Sequence, residues 1–342
     1  MKIGEFDLDD KVMVVAEIGN NHEGDASLAL EMVAAAAAAG ADAVKVQVIN
    51  PARLVNCSQR ERLAQLTRFR LPLSLIAELA QRAAAQGMFF VASAFDEDSL
   101  EAVAPLVAAV KIASGDLDFK PLLIKAAALD KPLILSTGMA TLAEVDRAVN
   151  TIARQLQSPR TLKDSLALLH CVSLYPVPLK LANLKAIQTL KETFAVTVGY
   201  SDHCLGIECA VAALALGARI IEKHFTLDKS RTSFRDHALS ADPQDLRRLA
   251  EITHAFDEIL GSGEKLPGEA EVAMSLAARR SIVAARDLKA GERLSWADLD
   301  YVRPREGLPP EAAETLVGRT LRVPVKYHQV LVASLLNDSK EN

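Results

Sequence analysis

Eight short runs of apolar residues alternate with helix-length segments over roughly the first 260 residues of the chain. Each run is continuously apolar, which is typical of parallel strands that are buried on both faces. The runs are 12–17, 43–48, 88–93, 109–113, 133–137, 166–171, 196–200 and 219–223, and the helical patterns between and after them include 27–39, 73–86, 100–106, 121–128, 142–156, 206–216 and 243–260. Eight strand–helix units over about 250 residues predict a (β/α)8 TIM barrel. An open doubly wound sheet is the alternative, but no glycine-rich dinucleotide turn follows the first strand.

The repeating pattern stops at residues 261–268, where Gly, Ser, Pro and charged residues lack any periodicity and indicate a linker. Beyond it, short β-like pieces at 281–284 and 330–333 predict a second, compact module near the lower size limit for a self-sufficient core. The sequence therefore predicts a catalytic barrel over 1–260, a linker over 261–275 and a small domain over 276–342.

Composition narrows the class of protein. Half of the 342 residues are hydrophobic and only 4% are aromatic, which favours an α/β enzyme over an all-β protein. The net charge of −5 and the absence of a basic block argue against nucleic-acid and membrane-surface partners. The four cysteines form no CxxC pair, and neither a signal peptide nor a membrane-spanning run is evident, so we expect a cytoplasmic protein with reduced thiols.

Polar residues end the predicted strands, and the carboxyl ends of parallel strands are where such folds assemble active sites. In chain order they are Glu17, Lys45, Gln47, Ser93, Lys111, Ser114, Ser136, Ser173, Tyr175, Ser201, His203, Glu222 and His224. Two lysines within apolar strands are costly without a counter-ion, and with the serines they predict a pocket for a small anion such as phosphate. His203 and His224, with Glu222 and Asp202 nearby, predict a divalent-metal site. The plainer alternatives are lysines that pair with barrel carboxylates and histidines that merely end strands.

A metal, a phosphate pocket and carboxylates at one barrel mouth suggest that a phosphorylated carbon nucleophile meets a carbonyl activated by a Lewis acid. Six ordered motifs then resemble the sialic acid synthase family. They are residues 16–25 (AEIGNNHEGD), 111–116 (KIASGD), 135–139 (LSTGM), 169–176 (LHCVSLYP), 199–203 (GYSDH) and 222–226 (EKHFT). The resemblance implies condensation of phosphoenolpyruvate with N-acetylmannosamine or a related amino sugar, with release of phosphate. It also implies that the second module is an antifreeze-like (SAF) domain.

The resemblance implies roles residue by residue. His203 and His224 match ligands of Mn²⁺ or Mg²⁺, and Glu17 and Glu222 match active-site carboxylates. The residues that match the phosphoenolpyruvate pocket are Lys45, Ser93, Lys111, Ser114, Ser136, Ser173 and Ser201, and those that match sugar contacts are Gln47, Tyr175 and Asp236. Arg303 matches an arginine that one subunit inserts into the barrel of its partner, which implies a domain-swapped homodimer.

In the implied reaction the metal polarises the sugar aldehyde, C3 of phosphoenolpyruvate attacks it, and a carboxylate activates water for addition at C2. The sequence leaves open whether that carboxylate is Glu17 or Glu222. The identity of the acceptor sugar is also undetermined, because two features differ from the pattern of the family it resembles. Phe234 and Arg235 replace the Gly-Pro that commonly precedes the aspartate matched by Asp236, and the loop over 49–70 is short. N-acetylmannosamine is the default acceptor, and a 2,4-diacetamido sugar that gives legionaminic or pseudaminic acid is its competitor.

Two further functions remain as alternatives. A sugar-phosphate condensing enzyme would need an extra basic cluster for the phosphate of its substrate, and the sequence shows none. A non-catalytic carbohydrate-binding protein would have lost lysines or histidines at the strand ends, and none is lost.

Overall fold

The computed structural model describes residues 1–157 and 159–337 of the chain. These residues separate into two compact units, the first spanning Met1–Gly261 and the second beginning at Ser262. In the first unit, β1 (Lys2–Ile3) and β2 (Phe6–Asp7) form a short antiparallel hairpin. The next eight strands form a closed parallel barrel and are β3 (Met13–Gly19), β4 (Ala43–Val48), β5 (Phe89–Ala94), β6 (Ala109–Ile112), β7 (Leu133–Ser136), β8 (Leu166–Cys171), β9 (Thr197–Asp202) and β10 (Ile220–His224). The predicted TIM barrel is confirmed, because closure of β10 onto β3 rules out an open sheet.

The interior of the barrel is layered along its axis. Near the amino ends of the strands it is apolar, with residues such as Val15, Ala43 and Ile134 packed together and covered by Met1 and Ile3 of the amino-terminal segment. Because side chains alternate across a strand, the next inward-facing position lies two residues further on. At that level most strands carry a polar side chain. The barrel interior therefore has an apolar layer near the amino ends of the strands and a polar layer near their carboxyl ends.

Helices surround the barrel and pack against the outer faces of its strands. In the first unit they are α1 (Ala26–Ala38), α2 (Pro51–Leu54), α3 (Arg60–Phe69), α4 (Leu73–Ala85), α5 (Glu97–Val103), α6 (Lys120–Ala128), α7 (Leu142–Ala153), α8 (Leu162–Ser165), α9 (Ala186–Phe194), α10 (Glu208–Ala215), α11 (Arg235–Leu239), α12 (Pro243–His254) and α13 (Phe256–Leu260). No helix in the part of the chain that the structure describes is both long and apolar enough to cross a membrane.

Three features differ from the sequence-based expectation. The amino-terminal hairpin was not predicted, because two strands of two residues each carry no measurable periodicity. The connection over 49–70 is not a plain loop, since it contains α2 and α3. Helix α9, which lies between β8 and β9, was also absent from the predicted set.

The second unit is built around an antiparallel pair, β11 (Ser281–Ala284) and β12 (Leu299–Val302). Its own small core includes Ile282, Leu288 and Leu321. Its helices are α14 (Glu269–Ala278) and α15 (Ala313–Leu316). Helix α14 occupies the second half of the predicted linker, because Glu, Ala, Met and Leu from residue 269 onward are good helix formers.

Candidate active site

Four charged side chains meet inside the polar layer of the barrel and are called the inner cluster: Glu17, Lys45, Lys111 and Glu222. The Nζ of Lys45 lies 3.0 Å from Oε2 of Glu17 and 3.4 Å from Oε1 of Glu222. The Nζ of Lys111 lies 3.9 Å from the same oxygen of Glu222. All four are almost fully buried, so two lysines share two carboxylates at the closed end of the mouth.

Serine hydroxyls surround the inner cluster. The Lys111 ammonium donates to Ser136 Oγ at 2.7 Å and Lys45 to Ser93 Oγ at 3.4 Å, while the Ser201 hydroxyl donates to Glu222 Oε1 at 3.0 Å. Ser114 and Ser173 converge on Gly138, whose backbone N–H donates to Ser114 Oγ at 3.0 Å. A Cβ at position 138 would collide with both hydroxyls, which explains the glycine. The seven residues predicted for an anion pocket therefore lie on adjacent barrel elements.

The two carboxylates of the inner cluster differ in their electrostatics. Burial raises the pKa of Glu17, and the charge of Glu222 adds to this effect against the opposing pull of Lys45. Burial also opposes the charge of Glu222, but Lys111, Lys45 and the Ser201 hydroxyl outweigh it and lower the pKa to about 2. Burial lowers the pKa of Lys111, whereas Glu17 and Glu222 overcome burial and raise the pKa of Lys45. The two carboxylates of the inner cluster thus differ in basicity, and Glu222 is the more acidic of the two.

The two predicted metal-ligand histidines lie side by side, with ring centroids 5.2 Å apart. The Val172 carbonyl lies 2.9 Å from Nδ1 of His203, which fixes this nitrogen as the protonated one and leaves Nε2 with a lone pair. Nδ1 of His224 is buried and has no hydrogen-bond partner. Burial, followed by the effect of His224, lowers the pKa of His203 to about 4, and burial with the charge of Lys45 lowers that of His224 to about 3.

Neutral, partly unsatisfied imidazoles fit a divalent cation. Within residues 1–157 and 159–337, no set of three or more His, Cys, Asp or Glu side chains is arranged as a metal site. The histidine pair would therefore leave the remaining coordination positions of a bound cation to water or substrate.

Three of the residues predicted to meet the sugar lie at the mouth: Gln47 lies beside Glu17, while Tyr175 and Asp236 are linked through Arg235. Gln47 donates to Glu17 Oε1 at 2.8 Å and accepts from Asn20 at 2.8 Å. The Tyr175 ring lies 4.2 Å from that of His203, measured between centroids. The Arg235 guanidinium lies over the Tyr175 ring at 4.7 Å and pairs with buried Asp236 at 3.2 Å.

Asp202 does not take part in the metal pocket, contrary to one sequence-based expectation. Its neighbours in the strand, Ser201 and His203, face the mouth, so Asp202 points to the outer side of β9. There it pairs at 2.9 Å with Lys223 of β10, and both side chains are almost completely buried. We call Asp202 and Lys223 the outer pair. Sequence reasoning missed Lys223, although the signal was available, since it too is a lysine within an apolar strand.

Three arginines were also missed. Arg62, Arg68 and Arg235 line a cleft of about 550 Å³ that reaches the wall formed by Tyr175. The structure thus contains a basic cluster where the sequence indicated none. The available signal was the local charge of residues 51–72, which hold five arginines and one glutamate in a chain of net charge −5. Arg303 lies in the second unit directly after β12, and its side chain is exposed.

A closed parallel barrel whose mouth gathers paired lysines, carboxylates and imidazoles is typical of an α/β-barrel enzyme. Comparison with known proteins identifies its family. The profile of the NeuB family matches residues 32–265, and that of the SAF domain matches residues 279–337.

Relatives with the same architecture cover nearly the whole chain. It is 40% identical to the N,N'-diacetyllegionaminic acid synthase of Legionella pneumophila over 325 residues, 90% of each chain. It is 34% identical to the pseudaminic acid synthase of Campylobacter jejuni, over 97% of this chain and 98% of that one. The crystal structure of N-acetylneuraminic acid synthetase from Leptospira borgpetersenii in complex with citrate superposes with a TM-score of 0.71 at 36% identity, covering 77% of this chain and 90% of that chain. The chain belongs to the NeuB, or sialic acid synthase, family and carries a SAF domain, so it is a transferase that forms carbon–carbon bonds.

Proposed function

We propose that this enzyme condenses phosphoenolpyruvate with an N-acetylated amino sugar and water to give a nonulosonic acid and phosphate. The observation that carries the proposal is the inner cluster, in which two buried lysines and a surrounding set of serines face two carboxylates of unequal basicity. A trianionic substrate needs buried donors of this kind, namely ammonium groups and hydroxyls. The names of the three relatives described above, synthases of legionaminic, pseudaminic and N-acetylneuraminic acid, support the same reaction class.

Lys111 is the lysine best suited to the phosphate group. Among the described residues, Glu222 is the only carboxylate within 4 Å of the Lys111 ammonium, at 3.9 Å, and the short contacts of Lys111 are the Ser136 hydroxyl and the Ile112 carbonyl. Exchanging these neutral partners for phosphate oxygens relieves a buried charge, whereas Lys45 is already neutralised by Glu17 and Glu222. Ser114, Ser136 and Ser173 supply hydroxyl donors around the same oxygens.

Glu17 is proposed as the general base. C3 of phosphoenolpyruvate bonds to the aldehyde carbon of the open-chain sugar. The C–O π bond of the aldehyde breaks to leave an alkoxide, and positive charge develops at C2. Water then adds at C2 and gives one proton to Glu17, which passes it on to the sugar alkoxide. The C2 hydroxyl then becomes a ketone as the bond between C2 and the bridging oxygen breaks, and its proton leaves with the phosphate. Glu222 stays ionised between Lys45 and Lys111 and offsets the charge at C2.

His203 and His224 are proposed to hold a divalent cation, Mn²⁺ or Mg²⁺. When bound, the cation supplies Lewis-acid polarisation of the sugar aldehyde. The Val172 carbonyl orients the His203 ring, and Tyr175 packs against both imidazoles and limits how far either can rotate.

The acceptor is proposed to be an N-acetylated aldose that contacts Gln47, Tyr175 and Asp236. N-acetylmannosamine and a 2,4-diacetamido sugar are the two candidates, and the names of the neuraminic and legionaminic relatives support one each.

Purified enzyme should release phosphate from phosphoenolpyruvate only when a suitable N-acetylated sugar and a divalent cation are both present. A panel of N-acetylmannosamine, N-acetylglucosamine and a 2,4-diacetamido sugar, each with Mn²⁺, Mg²⁺ or chelator, tests this expectation. Phosphate release that is independent of sugar would overturn the proposed reaction.

The active form is proposed to be a homodimer in which Arg303 of one subunit reaches the sugar in the barrel of the other. Co-expression of Arg303→Ala and His203→Ala chains with different tags tests this arrangement. Mixed dimers should regain activity that neither parent has, because one of the two sites then contains both an intact barrel and an intact arginine. Mixed dimers as inactive as the parents would show that the arginine serves its own subunit.

A further inference from the structure

Residues 225–242 join β10 to α12 and carry Asp236 on a very short helix. That helix, α11, has five residues, and no side chain caps its amino end. A helix of this length is not stable by itself, because its nucleation costs more than a single turn returns. The position of Asp236 therefore depends on contacts between α11 and other parts of the chain.

His237, the residue after Asp236, makes two such contacts and is completely buried. Its Nε2 lies 3.2 Å from Oε1 of Glu23, in the turn that follows β3. Its Nδ1 lies 2.7 Å from Oγ1 of Thr226, just beyond β10. The Thr232 hydroxyl donates to the same oxygen of Glu23 at 2.7 Å. The imidazole thus connects α11 to the turn after β3 and to the end of β10.

Glu23, His237 and Thr226 form a chain of hydrogen bonds that we call the buried triad. Burial opposes the charge of Glu23, but hydrogen bonds from Thr232 and His237 outweigh burial and lower the pKa of Glu23. Since an ionised carboxylate only accepts hydrogen bonds, Nε2 of His237 carries the imidazole proton and Nδ1 accepts from the Thr226 hydroxyl. Both ring nitrogens are then satisfied in the neutral imidazole.

The turn after β3 has a backbone conformation that supports a functional role for the buried triad. Glu23 has a φ of 47°, in the left-handed region that residues with a Cβ rarely adopt. Such conformations persist where surrounding contacts fix them, and they concentrate at functional sites. The same turn contains Asn20, whose side-chain amide donates to Gln47 at 2.8 Å. One turn therefore contacts Gln47 directly and the neighbour of Asp236 through the triad.

Asn21 of the same turn makes an independent connection to this segment. Its side-chain amide donates to the Phe225 carbonyl at 2.8 Å and to Ser240 Oγ at 3.0 Å. The Ser240 hydroxyl in turn donates to the Asp236 carbonyl at 2.6 Å. Because these contacts do not involve Glu23 or His237, loss of the triad should loosen α11 without unfolding the segment.

We propose that the buried triad holds α11 in place and thereby positions Asp236 for contact with the acceptor sugar. The inference rests on the proposed function, and it makes Glu23, His237 and Thr226 positioning residues that act through Asp236. A misplacement of about 1 Å at such a group can cost about 100-fold in rate. The alternative is a set of hydrogen bonds that contributes to stability alone.

The test breaks the triad at either end and includes a conservative control. Glu23→Ala and Thr226→Val each remove one partner of His237, whereas Glu23→Gln keeps an oxygen that accepts from it. Phosphate release by the full-length enzyme with Mn²⁺ gives the KM of each substrate. The KM for N-acetylmannosamine should rise by about tenfold or more in both disruptive variants. The KM for phosphoenolpyruvate should stay close to the wild-type value, because Lys111 and its serine partner lie on other strands, and Glu23→Gln should resemble the wild type in both constants.

The two constants separate positioning from stability. A loss of stability alone reduces the amount of active enzyme and lowers the apparent kcat without changing either KM. An unchanged KM for N-acetylmannosamine, or an equal rise in both KM values, would overturn the positioning role and leave the proposed reaction standing. The double variant should be little worse than the weaker-binding single variant, because both substitutions act through His237. Effects that multiply would show that Glu23 and Thr226 act separately and would overturn the triad.

Hydrogen exchange followed by mass spectrometry tests the triad without any turnover. The His237 N–H donates to the Phe234 carbonyl at 3.1 Å and the Ser240 N–H to the His237 carbonyl at 3.2 Å, so both amides report on α11. They should exchange faster in Glu23→Ala than in Glu23→Gln, while the amides of α12 exchange equally in both. This result in an enzyme that consumes no sugar would support the triad and contradict only the proposed reaction. Equal exchange of the α11 amides in the two variants would overturn the triad.

Discussion

Two sets of buried charges, the outer pair and the inner cluster, lie on opposite faces of the barrel sheet and share only strand β10, and they are built differently. In the outer pair, one lysine meets one aspartate at 2.9 Å. The Lys223 ammonium also donates to the Cys204 carbonyl, and the other carboxylate oxygen of Asp202 accepts from the Cys204 backbone N–H. In the inner cluster, two lysines share two carboxylates at 3.0, 3.4 and 3.9 Å.

The difference separates a structural ion pair from a site prepared for a ligand. The outer pair satisfies each charge by one partner and by backbone groups, and it joins β9 and β10, which carry or precede the two histidines. In the inner cluster the charges are not matched one to one. Burial lowers the pKa of Lys111 and raises the pKa of Glu17. Perturbed groups of this kind concentrate at functional sites.

The largest effect is expected from Glu17→Gln, which removes the proposed base from the inner cluster. The kcat should fall by about 10²–10⁴, the usual contribution of a positioned general base. The amide keeps nearly the same shape and can still pair with Gln47, so the KM for phosphoenolpyruvate should change little. Steady-state kinetics measure both constants, and a fall of less than tenfold in kcat would remove Glu17 from the base role.

Breaking the outer pair should affect stability instead. Lys223→Met leaves Asp202 as an unpaired buried charge, which is expected to lower the free energy of unfolding by about 3–5 kcal/mol. Urea denaturation followed by circular dichroism measures this loss. The double variant with Asp202→Asn should recover most of it, because the asparagine oxygen can still accept from Cys204 and no charge remains. A cost below about 1 kcal/mol for Lys223→Met would contradict a structural role.

The same lysine-to-methionine substitution at Lys111 should affect substrate binding more than stability, the reverse of Lys223→Met. Burial already disfavours the Lys111 charge, so the free energy of unfolding should change far less than in Lys223→Met. The KM for phosphoenolpyruvate should instead rise about tenfold or more, since a charged hydrogen bond to phosphate contributes about 1.5–3 kcal/mol. An unchanged KM would make Lys111 a structural residue.

The smallest effect is expected from a substitution at Asp116, a carboxylate that has no lysine partner among the described residues. Burial, with a contribution from Asp118, raises the pKa of Asp116 from 3.8 to about 6. Between pH 3.8 and about 6, Asp116 therefore keeps its proton in the folded state but has lost it in the unfolded state. The free energy of unfolding falls as pH rises through this window. Asp116→Asn should be neutral at pH 4 and should stabilise by about 1–2 kcal/mol at pH 8, after allowance for the partial exposure of Asp116. Denaturation at both pH values measures the difference, and an equal effect at both would contradict the raised pKa.

The barrel and the membership of its polar layer were predictable because both depend on local sequence patterns. Continuous apolar runs identified all eight strands, and the two-residue alternation within them placed Lys45, Lys111, Glu222 and His224 on one face. The alternation of side chains along a strand also places Lys223 on the outer face of β10, opposite to Glu222 and His224.

What the sequence could not provide is the pairing between distant segments. The unequal basicity of Glu17 and Glu222 depends on which lysines lie nearest to each, and these contacts join strands far apart in the chain. The cleft lined by Arg62, Arg68 and Arg235 likewise combines α3 with residues 232–235, which only closure of the barrel brings together. Neither arrangement has a periodicity of its own.

The central claim is that water activated at Glu17 adds to C2 of phosphoenolpyruvate, so that the bond between carbon and the bridging oxygen breaks. Turnover in water enriched in oxygen-18, followed by mass spectrometry of the released phosphate, tests this most directly. The account predicts phosphate that carries no label, because its bridging oxygen comes from phosphoenolpyruvate and the water oxygen stays in the sugar acid. Phosphate with one labelled oxygen would show attack at phosphorus and would contradict the account.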